Sequence, residues 1–343
     1  MIFSFDAFVT AALFDSAGRA AFALGDGTVR LETDGGYVTV EAHGGPMGGA
    51  VLSAVVHPSG HGLVTGGDDG RVVWSRIDNG EVLATVLAEV KGKWIEHVAA
   101  SPASGLIAFT AGREAHVRDT ADSAFSRIFM HDKTVSGLAF DPKGRRLATA
   151  AYGGAQLWWA KIAEQKPQIL KWAGSHIAVA FSPDGKTIYA QAGDVGQVKI
   201  FAIDIKTSKV TPLTGDGHVI AFEVAPKGLI YTADSLKGPA QLFSLPAKGG
   251  KPTQLTTIAA DALKGVAWGE PEQFSFKGWN DETVHGFVIK PANFDPARKY
   301  PVAFLIHGGP QGSFNNSWSY RWNPQIYANA GYAVVMVDVT GTT

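Results

Sequence analysis

The stretch Phe140–Trp159, "FDPKGRRLATAAYGGAQLWW", decides how the rest of the chain is read. A turn built on Asp, Pro and Gly is followed by the run "RLATAAY", a glycine pair, and a second apolar run ending in two tryptophans. A further apolar run, "VSGLAF" (Val135–Phe140), leads into it. Short apolar runs separated by Gly, Pro, Asp and Ser are the pattern of strands joined by tight turns.

The same turn recurs along the chain. It reads "FDSAGR" at Phe14–Arg19, "VHPSGH" at Val56–His61, "ASPASG" at Ala100–Gly105, "FSPDGK" at Phe181–Lys186 and "VAPKG" at Val224–Gly228. Its glycines, Gly18, Gly60, Gly105, Gly144, Gly185 and Gly228, are 42, 45, 39, 41 and 43 residues apart. A period near forty with several short strands per repeat is that of a four-stranded β-propeller blade. Further runs such as "DGTVRL", "DGRVVW" and "GQVKIF" supply later strands of each unit, and Asp26-Gly27 and Asp69-Gly70 read as two-residue hairpin turns. Trp74, Trp158 and Phe201 fall near one repeat position and read as filling between blades.

Residues 1–185 resemble WD-repeat proteins, most clearly in "HPSGHGLVTGGDDGRVVWS" and "FDPKGRRLATAAYGGAQLWW". That resemblance implies a non-catalytic scaffold that binds a protein partner. From "FSPDGK" onward the units end differently, in a basic turn followed by "LT", as in "PAKGGKPTQLT". Residues 186–343 resemble the prolyl-oligopeptidase family of serine peptidases, in the branch of the dipeptidyl and acylaminoacyl peptidases, above all across Glu272–Thr343. The resemblance implies a propeller capping an α/β-hydrolase domain that cleaves short peptides. The two resemblances meet at 181–186, where a join of two propeller types is expected.

The residues of that last segment give the same picture. "QFSFKG" and "TVHGFVIKP" read as two strands around an Asn280-Asp281 turn, and "VAFLIH" as a strand buried on both faces. "YRWNPQIYANAG" reads as a helix with Pro324 in its first turn and Gly331 as its stop, and "YAVVMVDV" as the next strand. Strand, helix and strand make a βαβ unit. The expected fold is therefore mainly β: a propeller of about six to seven blades over residues 1–268, then a partial α/β-hydrolase domain over 269–343.

Acyl transfer in such a domain needs a serine, a histidine, an acid and N–H donors for the oxyanion. By resemblance, the Gly-rich turn His307-Gly308-Gly309-Pro310 forms the oxyanion-hole region, with Gly309 as the backbone donor; some relatives carry a tyrosine where His307 stands. The nucleophile belongs in Gly-x-Ser-x-Gly, and no serine here has glycine at both −2 and +2. The triad is expected to be absent from this chain, which predicts no serine catalysis by it. Ser313, Ser317, His285 and Asp338 read as surface or capping groups rather than as substitutes.

Composition narrows the remaining classes. A net charge of −1 leaves no basic face for nucleic acid or an anionic membrane, and no uncharged apolar run is long enough to span a bilayer. "MIFSFDAFVTAALFDSAGR" lacks an early basic residue and is broken by Asp6 and Asp15, so it does not read as an export signal. The absence of cysteine excludes thiol chemistry and suits a reducing, cytoplasmic setting. His57 and His61 flank a turn, and "GDDG" (Gly67–Gly70) is too short for a calcium loop, so neither a metal nor another cofactor is expected. "HGGPMGG" (His43–Gly49) reads as an inter-blade loop. The Val-rich strand within Tyr332–Val339 is expected to lie at an exposed edge and to promote self-association.

Overall fold

A computed structural model describes residues 4–44, 49–308 and 312–338. The chain is mainly β and packs as two units, residues 1–190 with 203–209, and residues 191–202 with 210–343. The first unit opens with three four-stranded antiparallel sheets, each in sequential order. They are β1 (Val9–Phe14), β2 (Ala20–Leu24), β3 (Thr28–Thr33) and β4 (Gly36–Glu41); β5 (Val51–Val56), β6 (Leu63–Gly67), β7 (Arg71–Asp78) and β8 (Glu81–Glu89); and β9 (Val98–Ser101), β10 (Leu106–Ala111), β11 (Glu114–Asp119) and β12 (Ser126–Met130). Next come β13 (Val135–Phe140), β14 (Arg146–Trp159) and β15 (Gln168–Phe181). The first half of β14 pairs with β13 and its second half with β15, with a register shift at Tyr152–Gly154 between them.

The recurring turn has a specific chemistry. Asp15 accepts hydrogen bonds from the N–H groups of Ala17 and Arg19 and from the Arg19 guanidinium. Asp141 does the same for Arg145 and Arg146. The turn glycines Gly18, Gly60, Gly105, Gly144 and Gly185 have φ between 63° and 82°, a region that costs glycine little and other residues more. The turn thus recurs because a side-chain acceptor and a left-handed residue are both needed to reverse the chain there.

Successive sheets of this unit share cores. Val29, Leu31 and Val40 pack with Leu63 and Val73; Val64 and Val72 pack with Ile107 and Phe109; Leu106, Val117 and Phe129 pack with Leu147 and Trp158. An inner sheet therefore buries both faces, one against each neighbour. Polar networks lock the edges of these cores. His43 bonds Asp69 through Nδ1 (3.0 Å) and Thr65 through Nε2 (2.8 Å). His131 Nε2 bonds the Thr149 hydroxyl (2.8 Å), which also accepts the Trp158 indole N–H (3.3 Å). Asp69 is drawn into the turn that the sequence places at "GDDG", with its carboxylate taken by Arg71 and His43.

The strands β16 (Thr187–Asp194) and β17 (Gln197–Asp204) follow, then β18 (Val210–Pro212). In the second unit, β17 pairs in parallel with β19 (His218–Ala225) at Val198 and His218. The ladder then runs antiparallel through β20 (Gly228–Ser235), β21 (Gly238–Pro246) and β22 (Thr253–Gln254). A separate sheet holds β23 (Pro271–Lys277), β24 (Thr283–Ile289), β25 (Val302–Leu305) and β26 (Ala333–Val337), in the order β23-β24-β26-β25. The β23–β24 turn is a short 3-10 segment in which Asn280 and Asp281 take φ of 58° and 59°. The helix α1 (Pro324–Asn329) lies between β25 and β26 in sequence. It is shorter than the sequence pattern: Asn323 caps it and Pro324 is its first residue, while Ser319 Oγ turns the chain at Arg321 and Trp322.

Two expectations are corrected here. The strand within Tyr332–Val339 is not an edge: β26 pairs with β24 on one side and with β25 in parallel on the other; Val339 lies outside the described residues. The edge on that side of the sheet is β25, because the chain crosses over it and returns between β25 and β24. For the same reason "VAFLIH" is not buried on both faces: Val302 is 61% and Phe304 52% exposed. Hydrogen exchange should follow this order. Amides of Val335 and Met336 exchange at least about 100-fold more slowly than the outward amides of β25, since only the latter lack a strand partner. Equal protection of both strands would contradict the assigned order.

Candidate active site

The Gly-rich turn follows the C-terminal end of β25, and its first residues are described. His307 Nδ1 lies 2.9 Å from Gly308 O, and the ring stands edge-on to Phe314 with centroids 5.2 Å apart. The Nδ1 proton therefore points at the carbonyl, which leaves Nε2 as an acceptor, buried and without a hydrogen-bond partner among the described residues. In this tautomer His307 does not offer Nε2–H to a substrate oxygen. Gly309 and Pro310 of the expected oxyanion region lie outside the described residues.

His307 and Gly308 line a cavity of ≈ 690 Å³. Leu305, Ile306, Phe314, Trp322, Tyr327 and Met336 give it an apolar lining, and Ser313, Ser317 and Ser319 add hydroxyls. It has the size and mixed lining of a small-ligand site. The loop 312–319 is tied to the end of β26 by Asp338, whose carboxylate accepts from Ser313 Oγ (2.6 Å) and Phe314 N–H (2.7 Å). Asp338 N–H in turn donates to His285 O (3.0 Å). The structure thus brings Ser313 and Asp338 together, but no histidine hydrogen-bonds to Ser313 or Ser317 among the described residues. A carboxylate bonded straight to a serine hydroxyl orients it without the imidazole base that a triad places between them.

The helix side of the cavity is anchored by an amide that the sequence did not flag. Gln325 is buried and pairs twice with the Gly269 backbone, accepting its N–H (2.9 Å) and donating to its carbonyl (2.8 Å). No group of three or more His, Cys, Asp or Glu capable of holding a metal ion occurs among the described residues. No described helix is long and apolar enough to cross a membrane.

The chain is mainly β, carries WD repeats, and is similar to dipeptidyl peptidases in sequence and to dipeptidyl and acylaminoacyl peptidases in fold. The family model of the WD domain, G-beta repeat, matches residues 37–74 and 124–158. The chain is 38% identical over 179 residues to a probable dipeptidyl-peptidase 5 of Aspergillus clavatus, covering 50% of this chain and 24% of that protein. It is 32% identical over 191 residues to dipeptidyl-peptidase 5 of Schizosaccharomyces pombe, covering 55% and 26%. Among solved structures, a Mycobacterium tuberculosis puromycin-hydrolyzing peptidase aligns over 97% of this chain and 57% of its own, with a TM-score of 0.71 and 16% identity. The acylaminoacyl peptidase of Pyrococcus horikoshii aligns over 96% and 57%, with a TM-score of 0.69 and 16% identity. The chain thus spans about a quarter of the curated relatives it matches and just over half of the solved ones.

Proposed function

We propose that the chain is the propeller and the opening strands of the hydrolase domain of a prolyl-oligopeptidase-type serine peptidase acting on short peptides. The boundaries are residues 1–268 for a propeller of six to seven blades, with a join near 181–186, and 269–343 for the hydrolase part. The observation that carries this reading is the sheet β23-β24-β26-β25, with its parallel β25–β26 pair and with His307 and Gly308 of the Gly-rich turn, just past β25, lining a largely apolar cavity. An α/β-hydrolase presents its oxyanion donor at such a turn. The cavity receives an apolar peptide side chain, and the propeller filters substrates by size. The lack of cysteine agrees with a cytoplasmic setting.

The 343-residue chain performs no covalent serine catalysis, because it contains no Gly-x-Ser-x-Gly and Ser313 is held by Asp338 rather than by a histidine. Treatment of the 343-residue chain with a fluorophosphonate probe, read by intact mass, is expected to leave it unmodified. A stoichiometric adduct would sink this reading of its chemistry. A second reading, a non-catalytic scaffold for a protein partner, is favoured by the WD repeat matches within the first unit. Under it, partner binding survives deletion of residues 269–343.

A further inference from the structure

One wall of the cavity comes from outside the sheet and its loops. Leu236, at the tip of the β20–β21 turn, is buried against Phe287, Ile289, Ala328, Val334 and Met336 and lines the cavity. Asn316 links this tip to a second turn through its side-chain amide. Asn316 Oδ1 accepts from Leu236 N–H (3.0 Å), its Nδ2 donates to Gln197 Oε1 (3.0 Å), and its own backbone N–H donates to Gly196 O (2.7 Å). Gln197 is buried, and its Oε1 also accepts from Gly217 N–H (2.7 Å). Gly196 in turn abuts the Phe287 ring: a Cβ there would stand 2.8 Å from Phe287 Cε2.

Asn316 is not itself in the cavity lining, but its neighbours Asn315 and Ser317 are. Its amide must both donate and accept. Aspartate lacks the donor and leucine lacks both functions. Removing the amide takes the side-chain acceptor from the Leu236 N–H and one of two donors from Gln197 Oε1, which keeps Gly217 N–H. The loop and the Leu236 tip would then no longer share a fixed geometry.

We propose that Asn316 is a positioning residue for the cavity. It clamps the loop 312–319 to the turns at Gly196–Gln197 and Leu236, and Leu236 sets the size of the apolar group admitted. The ligand class rests on the peptidase reading; the clamp does not.

The chain offers a direct reporter. It has four methionines; Met336 is 2% exposed and lines the cavity, while Met130, in the first unit, is 58% exposed. Methyl-13C methionine spectra of the 343-residue chain are recorded with N-acetyl-leucinamide and with N-acetyl-naphthylalaninamide as probes. In Asn316→Ala and Asn316→Asp, the Met336 methyl is expected to shift or broaden without probe while Met130 stays fixed. Affinity for the leucine probe falls about 5-fold or more, the equivalent of about 1 kcal/mol. Leu236→Ala is expected to move the preference toward the naphthyl probe by a similar factor, and it carries the test if the Asn316 variants fail to fold. An unchanged Met336 signal in both Asn316 variants overturns the clamp. If neither probe moves Met336 in the parent chain while Asn316→Ala does, the clamp stands and the size-selecting role falls, together with the peptide reading of the cavity.

Discussion

Acidification from pH 7 to pH 5 lowers the unfolding midpoint of the first unit by roughly 10 °C, a shift built from about 2–4 °C for each kcal/mol lost in a unit of this size. The cause is its buried histidines. His176 is 1% exposed, and neither ring nitrogen has a hydrogen-bond partner among the described residues; burial pushes its pKa down to about 4. His57 lies flat on Trp74, with ring centroids 3.8 Å apart and Arg76 over the indole. Burial first, then the Arg76 charge and His61, bring it to about 4 as well. Burial also lowers His43, His97, His116 and His131, against the pull of neighbouring acceptors or acids.

The sign follows from the direction of these shifts. A histidine whose folded pKa lies below its unfolded value of 6.5 takes up its proton more readily in the unfolded chain, so its contribution is present above pH 6.5 and is withdrawn as the pH falls toward 4. For a shift from 6.5 to about 4, each of His57 and His176 has withdrawn about 2 kcal/mol by pH 5. The lowered carboxylates Asp15, Asp26, Asp119 and Asp184 act in the same sense only nearer pH 4 and below. In the second unit, Glu223 is raised by burial and works the other way, gaining from mild acid. Thermal melts at pH 7, 6 and 5 check this. His176→Gln and His57→Gln should each flatten the profile, and a midpoint that does not move between pH 7 and pH 5 would show that these rings are not buried neutral.

The sheets of the first unit were legible because their signal is local and repeated. A Gly at a fixed place in a turn and an Asp or Ser a few residues before it report the same reversal each time, and strand pairing follows from adjacency. Trp158 and Phe201 were placed in the interior by position alone and are buried; Trp74 is only half-buried and packs on His57. What could not be read was which strand becomes an edge. "VAFLIH" and "YAVVMVDV" carry the same apolar signal, and only the crossover decides that β26 lies inside and β25 outside. The clamp at Asn316 was invisible for a related reason: its partners are 80 and 119 residues away, and "FNNSW" carries no pattern. The His43 and His131 networks had a fainter trace, a histidine shortly before the first strand of a repeat.

Trp158→Ala costs the first unit about 3–5 kcal/mol, the range for emptying a large aromatic site in a core. Its indole stacks on Phe129 at 4.7 Å with planes 13° apart, in a core shared with Leu106, Val117 and Leu147. That core joins the third sheet to the next, so its loss loosens a junction as well as a side chain. The hydrogen-bond chain is a separable part of the effect. His131 Nδ1 faces Phe129 O at 3.0 Å, so that nitrogen carries the proton and Nε2 accepts from the Thr149 hydroxyl, while the hydroxyl oxygen accepts from Trp158. Thr149→Val keeps the shape and removes the hydroxyl, which orphans a buried indole N–H and a buried imidazole nitrogen at about 1–3 kcal/mol apiece. Trp158→Phe keeps most of the stack and removes only a donor that Thr149 can forgo. The expected order of destabilisation in urea melts at pH 7 is Trp158→Ala above or equal to Thr149→Val, with Trp158→Phe well below both. The double variant Thr149→Val/Trp158→Phe should cost less than the sum of its parts, because the second change removes the indole donor that the first leaves stranded. Strict additivity would mean that the indole and the hydroxyl are not bonded in the folded chain, leaving the His131–Thr149 bond as the part of the hydrogen-bond chain that matters.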